Sequence, residues 1–215
     1  MRIKKLTAVI GLAAYFLSAC TSTDQKPGPV AAKDNRVKIP APFRFHKAIE
    51  VKPGLTLDVV SWGRGSESAG AYLILRSDST NLKYRSISGE LDGKIVDAWN
   101  MDMDSDGNTE LFIQAQGEGE GSHLTMYVYE FADNGSSQKI TFPNLGNSSK
   151  KGYKGGDSLY VKEDKLFREF PIIDTDDKSA GKKAESKKVL EYGLRNNSFT
   201  VKEIEPETEE TKKKQ

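Results

Sequence analysis

The chain contains one cysteine and two histidines among its 215 residues. One thiol cannot close a disulfide within the chain, so no such staple contributes to its stability. With His46 and His123 as the only imidazoles, a multi-histidine metal centre is excluded. Gly-x-Ser-x-Gly, His-Glu-x-x-His and the phosphate-binding glycine loop are all missing. An excess of one charge is missing too: 32 basic residues stand against 31 acidic ones, a formal net charge of +1. That balance argues against nucleic acid as a partner. Long helical apolar periods are absent, and after residue 20 no run is apolar enough to cross a bilayer. With so many carboxylates, acidic pairs arise by composition alone. None is assigned a catalytic role, and the chain is expected not to be an enzyme.

The apolar residues that do run together stand at the start. Arg2, Lys4 and Lys5 precede an apolar stretch from Leu6 to Phe16, closed by Leu17-Ser18-Ala19-Cys20. Basic start, apolar run and small-residue site, in that order, predict an export signal over residues 1–19 and lipidation of Cys20. A lipid thioether also accounts for a lone cysteine in an exported protein. The expected location is the bacterial cell envelope, with a lipid in the membrane and Thr21 after the cysteine pointing to the outer membrane, facing the periplasm. Cleavage before Cys20 removes three basic residues and no acidic one, leaving 29 against 31, a net charge of −2. Residues 20–38 are polar, carry Pro27, Gly28 and Pro29, and read as a flexible tether. Residues 205–215 read as a charged, disordered tail. One domain is expected between them, over residues 39–204.

Inside that domain strand signals dominate. Leu55–Val60, Gly70–Leu75, Leu111–Ala115, Leu124–Phe131 and Leu159–Val161 are short, β-branched or aromatic, and partly alternating. Gly63-Arg-Gly65, Asp92-Gly93, Asn134-Gly135 and Gly155-Gly156-Asp157 separate them. Lys178 to Leu190 reads as a polar loop. The expected fold is all-β, a single-domain antiparallel β-sandwich. Trp62 and Trp99 read as core or sheet-packing residues rather than sugar platforms.

Three constellations stand out. The first is Asp102-Met-Asp104-Ser-Asp106-Gly107-Asn-Thr-Glu110. Carboxylates at positions 1, 3, 5 and 9 of a short loop can converge on one hard cation, with Gly107 permitting the turn. No EF-hand is present, because Ile113 occupies the twelfth position, where a bidentate Glu belongs. The loop resembles the calcium-type loops of FG-GAP and VCBS-like β repeats, so the one cofactor in prospect is a structural Ca²⁺. The bland alternative is a metal-free polar turn whose side chains cap backbone N–H groups. The second constellation is Gln116-Gly-Glu-Gly-Glu-Gly-Ser-His123, where glycines at every other position interrupt two good strands. It is either a plain hairpin or a probe that enters a partner's cleft. The third is Lys151-Gly-Tyr153-Lys-Gly-Gly-Asp157 followed by Leu166-Phe-Arg168-Glu-Phe-Pro171. Here the favoured reading is structural: Tyr153 packs at a sheet edge, Arg168 pairs with a carboxylate, and the strand ends at Pro171.

In order and spacing, Leu91-Asp92-Gly93, the Asp102 to Glu110 loop, the Gly/Ser-rich loop, Gly152-Tyr153-x-Gly155-x-Asp157 and Arg168-x-Phe170-Pro171 resemble the bacterial periplasmic inhibitors of invertebrate-type (I-type) lysozyme. The match covers about Leu91 to Ile173, and more loosely reaches Tyr192. Residues 39–90 match only as generic β pattern. The resemblance implies a β-sandwich, often paired as a homodimer, with lysozyme as the partner. It also implies a projecting loop reading Ser-Gly-x-Tyr, whose hydroxyls bond the catalytic carboxylates of the enzyme. The aligned positions are Glu120, Gly121, Ser122 and His123, with only the glycine kept. Ser122 then supplies the hydroxyl, a protonated His123 pairs with a carboxylate, and Tyr153 aids the contact.

Overall fold

The alternation of Leu55–Trp62 produces a strand with every second side chain buried, β2, paired with β1 (Phe43–Lys52) before it and β3 (Ala69–Asp78) after it. The computed structural model describes residues 39–118, 123–173 and 185–204. β4 (Lys83–Asp92) completes the first sheet, in the order β1-β2-β3-β4. The same meander recurs twice. β5 (Lys94–Met101), β6 (Thr109–Gln116), β7 (Leu124–Phe131) and β8 (Ser137–Ile140) form the second sheet. The third has β9 (Ser158–Lys162), β10 (Lys165–Ile173), β11 (Glu185–Arg195) and β12 (Ser198–Ile204), with every neighbouring pair antiparallel. One helical turn, α1 (Asn147–Lys150), precedes the third sheet. Among the described residues no helix is long and apolar enough to cross a membrane.

The three sheets share two cores. Leu57, Val59, Tyr72, Ile74 and Leu91 of the first sheet pack against Ile95, Ala98, Leu111, Ile113, Tyr129 and Phe131 of the second. The other face of the second sheet, with Phe112, Met126, Val128 and Ile140, packs against Leu166, Phe170, Ile172, Leu190, Tyr192 and Leu194 of the third. The middle sheet is therefore covered on both sides. This explains why Leu111-Phe112-Ile113 is continuously apolar while β2 alternates. The all-β antiparallel expectation holds, and sandwich packing occurs twice around one shared sheet. Each fully buried large apolar side chain contributes roughly 1.5–3 kcal/mol, so Leu111, Phe112 and Ile113, all without exposed surface, anchor β6 strongly. Buried phenols in the first core are paired: Tyr72 and Tyr129 hydroxyls lie 2.6 Å apart, and Tyr127 accepts the Asp92 N–H at 2.8 Å.

A single residue, Gly93, links the first sheet to the second. Its φ is +88°, and a Cβ there would come within 2.6 Å of the Gln116 carbonyl oxygen. Only glycine meets both conditions.

Two strand expectations change. The polar-loop reading of Lys178 to Leu190 is wrong from Glu185 onward, where β11 begins. Leu190, Tyr192 and Leu194 supply its buried alternation, but Lys187 and Lys188 hide the start of the pattern. The strand expected to stop at Pro171 continues to Ile173. β9 pairs with β10 only as far as Glu169. Beyond that point the outer side of β10 carries, among the described residues, just the isolated bridge from Ile172 to Tyr153 rather than a continuous ladder, so a missing N–H is tolerated at Pro171. Trp62 lies outside both cores and is 46% exposed. The export signal, Cys20, the tether, the charged tail and the hairpin tip Glu120-Gly121-Ser122 lie outside the described residues.

Candidate functional site

β6 carries a candidate site at each end. It spans eight residues, which puts its ends roughly 24 Å apart at ~3.4 Å per residue. The hairpin of the second constellation follows it, and the acid loop precedes it.

At the hairpin end, the Gly117 N–H donates to the His123 carbonyl at 3.0 Å, closing the neck of the loop between β6 and β7. The exposed His123 ring stacks on Tyr153, with centroids 5.3 Å apart and planes inclined by 30°. Tyr153 is held from several sides. Its hydroxyl donates to Asp157 Oδ2 at 2.5 Å and accepts from Arg168 Nη2 at 3.2 Å. The edge of the Phe170 ring meets it at 5.2 Å, and its backbone bridges to Ile172. Arg168 Nε donates to Asp157 Oδ1 at 2.7 Å, with 6% and 1% of the two side chains exposed. The Gly-Tyr-x-Gly-x-Asp and Arg-x-Phe elements, distant in sequence, thus meet as one buried knot, and the structural reading of Tyr153 and Arg168 is the one realised. Burial, and then the bond to Asp157, pushes the Tyr153 phenol up to about 12. Burial opposes the Arg168 charge, yet the Asp157 hydrogen bond and carboxylate hold its pKa above the ordinary value.

Beside this knot lies a cleft of about 500 Å³ between the second and third sheets. His123, Met126, Phe142, Lys150, Tyr153 and Arg168 are among its walls. No carboxylate lines it among the described residues. Phe142 and Lys150 escaped the sequence reading: the Thr141–Leu145 segment has neither periodicity nor a turn dipeptide, and Lys150 ends the short turn α1. The aromatic residue before Pro143 was the only available signal.

At the other end of β6, Asp102, Asp104, Asp106 and Glu110 bring one oxygen each within 4.8 Å of one another. Gly107 has φ +88° with open space around it, so the turn demands glycine by conformation alone. The N–H groups of Asp106 and Gly107 both donate to Asp102, each at 3.1 Å. Asn108 N–H donates to Asp106 Oδ1 at 2.8 Å, and Met103 N–H to Glu110 Oε2 at 2.7 Å. Glu110 has no exposed surface. Burial, countered in part by the Met103 bond and reinforced by Asp104, Asp102 and Asp106, pushes its carboxyl up to about 7. The sequence-predicted acid set is therefore assembled, while of the predicted lysozyme-contact residues only His123 and Tyr153 are described, and those two touch.

No protein-family model matches the chain, and neither does a curated protein or a solved structure.

Proposed function

We propose that this chain is a lipid-anchored envelope protein that inhibits lysozyme by seating the 117–123 hairpin in the enzyme's substrate cleft. The observation that carries the reading is the contact between His123 and Tyr153. The far leg of the hairpin stands on an aromatic ring fixed by Asp157, Arg168 and Phe170. A foot fixed in this way restrains the far leg of the hairpin at His123, and preorganisation of that kind favours a cleft-filling inhibitor. The resemblance to the I-type lysozyme inhibitors draws on the same residues, since Tyr153, Asp157, Arg168 and Phe170 are its more specific positions.

The inhibition needs no chemistry from the inhibitor. A glycoside hydrolase cleft holds two carboxyl groups with divided acid and base duties. Ser122 and His123 donate hydrogen bonds to them, and the glycine-rich tip fills the space that substrate and water need. The negative charge of Glu120, at the position aligned with a serine, is repelled by that acidic pair and counts against the contact. An acyl chain on Cys20 holds the inhibitor in the envelope, where lysozyme attacks peptidoglycan.

The test is peptidoglycan lysis by I-, C- and G-type lysozymes with and without the protein, with the I-type enzyme expected to be blocked.

A second reading is an envelope binding module with no lysozyme target, stabilised by a metal. The converged carboxylates at the opposite end of β6 favour it. It predicts that all three lysozymes stay active.

A further inference from the structure

The acid loop satisfies part of its own hydrogen-bonding capacity and leaves the rest stranded. Backbone N–H groups serve Asp102, one oxygen of Asp106 and one oxygen of Glu110. Asp104 Oδ1 and Glu110 Oε1 remain, both buried and both without a hydrogen-bond partner. Glu110 is wholly enclosed, held at the first pairs of β6 between Met101 of β5 and Glu130 of β7. The Glu130 carboxylate is already engaged by the Asn197 side-chain amide at 2.9 Å. A metal-free polar turn accounts for Asp102 and Asp106. It gives no reason to bury an unpaired carboxylate oxygen at Glu110, which is costly in a low-dielectric site.

We propose that the loop binds Ca²⁺ through Asp102, Asp104, Asp106 and Glu110. The donors are all carboxylate oxygens, which suits a hard cation and excludes the soft ones. Their separation, within 4.8 Å, fits inside the roughly 5 Å between opposite ligands of an ion with bonds of about 2.3–2.6 Å. Mg²⁺ spans only about 4.2 Å between opposite ligands, keeps several waters and rarely takes four carboxylates. Glu110 comes from the strand and the three aspartates from the loop, so the ion fastens the β5–β6 connection to the doubly covered middle sheet. The site lies at the end of β6 away from the hairpin. It stands whether or not the protein inhibits lysozyme.

The test uses the full chain, stripped with a chelator and then titrated with CaCl2 or MgCl2 alone. Tryptophan fluorescence and the melting temperature are followed. Ca²⁺ is expected to raise the melting temperature by several degrees at millimolar concentration, and Mg²⁺ by much less. Glu110→Gln keeps the volume but removes a buried charge. It is expected to melt higher than the wild type without metal, and to lose at least tenfold in Ca²⁺ affinity. Asp106→Ala alters an exposed side chain, so the protein folds regardless, and it too is expected to weaken Ca²⁺ at least tenfold. No melting shift in the wild type, or equal Ca²⁺ affinity in the wild type and Asp106→Ala, overturns the proposal.

Discussion

Arg168 and Asp157 form an ion pair, Nε to Oδ1 at 2.7 Å, with almost none of either side chain exposed. Both charges are out of water, and Tyr153 adds its hydroxyl to each. A pair so enclosed is hard to break from one side. Arg168→Ala is expected to cost roughly 3–5 kcal/mol, because it leaves the Asp157 charge buried without a partner. Arg168→Met combined with Asp157→Leu should recover most of that loss. Urea unfolding of the single and double variants measures both, and equal losses in the two would contradict the account.

The tyrosines set the alkaline limit. Burial raises the pKa of Tyr72, Tyr127, Tyr153 and Tyr192, that of Tyr153 to about 12. A phenol with a raised folded-state pKa binds its proton more tightly folded than unfolded. Its contribution is whole below the ordinary value of about 10 and is lost as pH climbs through the folded value. Stability is therefore expected to hold up to about pH 10 and to fall steeply from there to about pH 12. Thermal melts across that range, with tyrosinate absorbance as the second signal, should show ionisation and unfolding together. Full phenol titration near pH 10 in a still-folded protein would contradict this.

The centre of the fold is doubly loaded. Phe112 has no exposed surface and stacks on Trp99 with ring centroids 5.5 Å apart. Phe112→Ala is expected to cost about 3–5 kcal/mol, read from denaturant midpoints. A comparable truncation on the open face of the first sheet, Leu75→Ala, should cost under 1 kcal/mol or so, since Leu75 is 36% exposed.

These energetics also explain what the sequence displayed. β2, β3, β6, β7 and β9 were legible because an apolar or alternating run fills most of each strand. β1 and β4 were not, since their outer faces are polar and β4 has only one buried side chain, at Leu91. The start of the pattern in β11, which begins at Glu185, is masked by Lys187 and Lys188, whose ion pairs with Glu169 and Glu203 lie across strands rather than along the chain. The acid set was legible from spacing alone, because all four carboxylates belong to one short loop. The cleft beside the hairpin was not, because Phe142, Lys150 and Arg168 come together only when the second and third sheets pack.

Under the proposed function, the hairpin's foot is where binding and folding are expected to separate. His123 is exposed, and among the described residues its bonds are its backbone contact to Gly117 and its ring stack on Tyr153. Ser122→Ala with His123→Ala is expected to weaken inhibition at least tenfold while moving the melting temperature little. Tyr153→Phe keeps the ring beneath His123 but removes the hydroxyl from Asp157, at a cost of about 1–3 kcal/mol, and should retain inhibition. Inhibition constants set beside melting curves test this. Loss of inhibition only in proportion to stability would contradict it.

The most direct measurement is peptidoglycan clearance by an I-type lysozyme as the purified full chain is titrated in, with C- and G-type enzymes in parallel. The account predicts that I-type clearance stops near one equivalent of inhibitor. Clearance by all three enzymes at undiminished rate, with the protein folded and in excess, would contradict it.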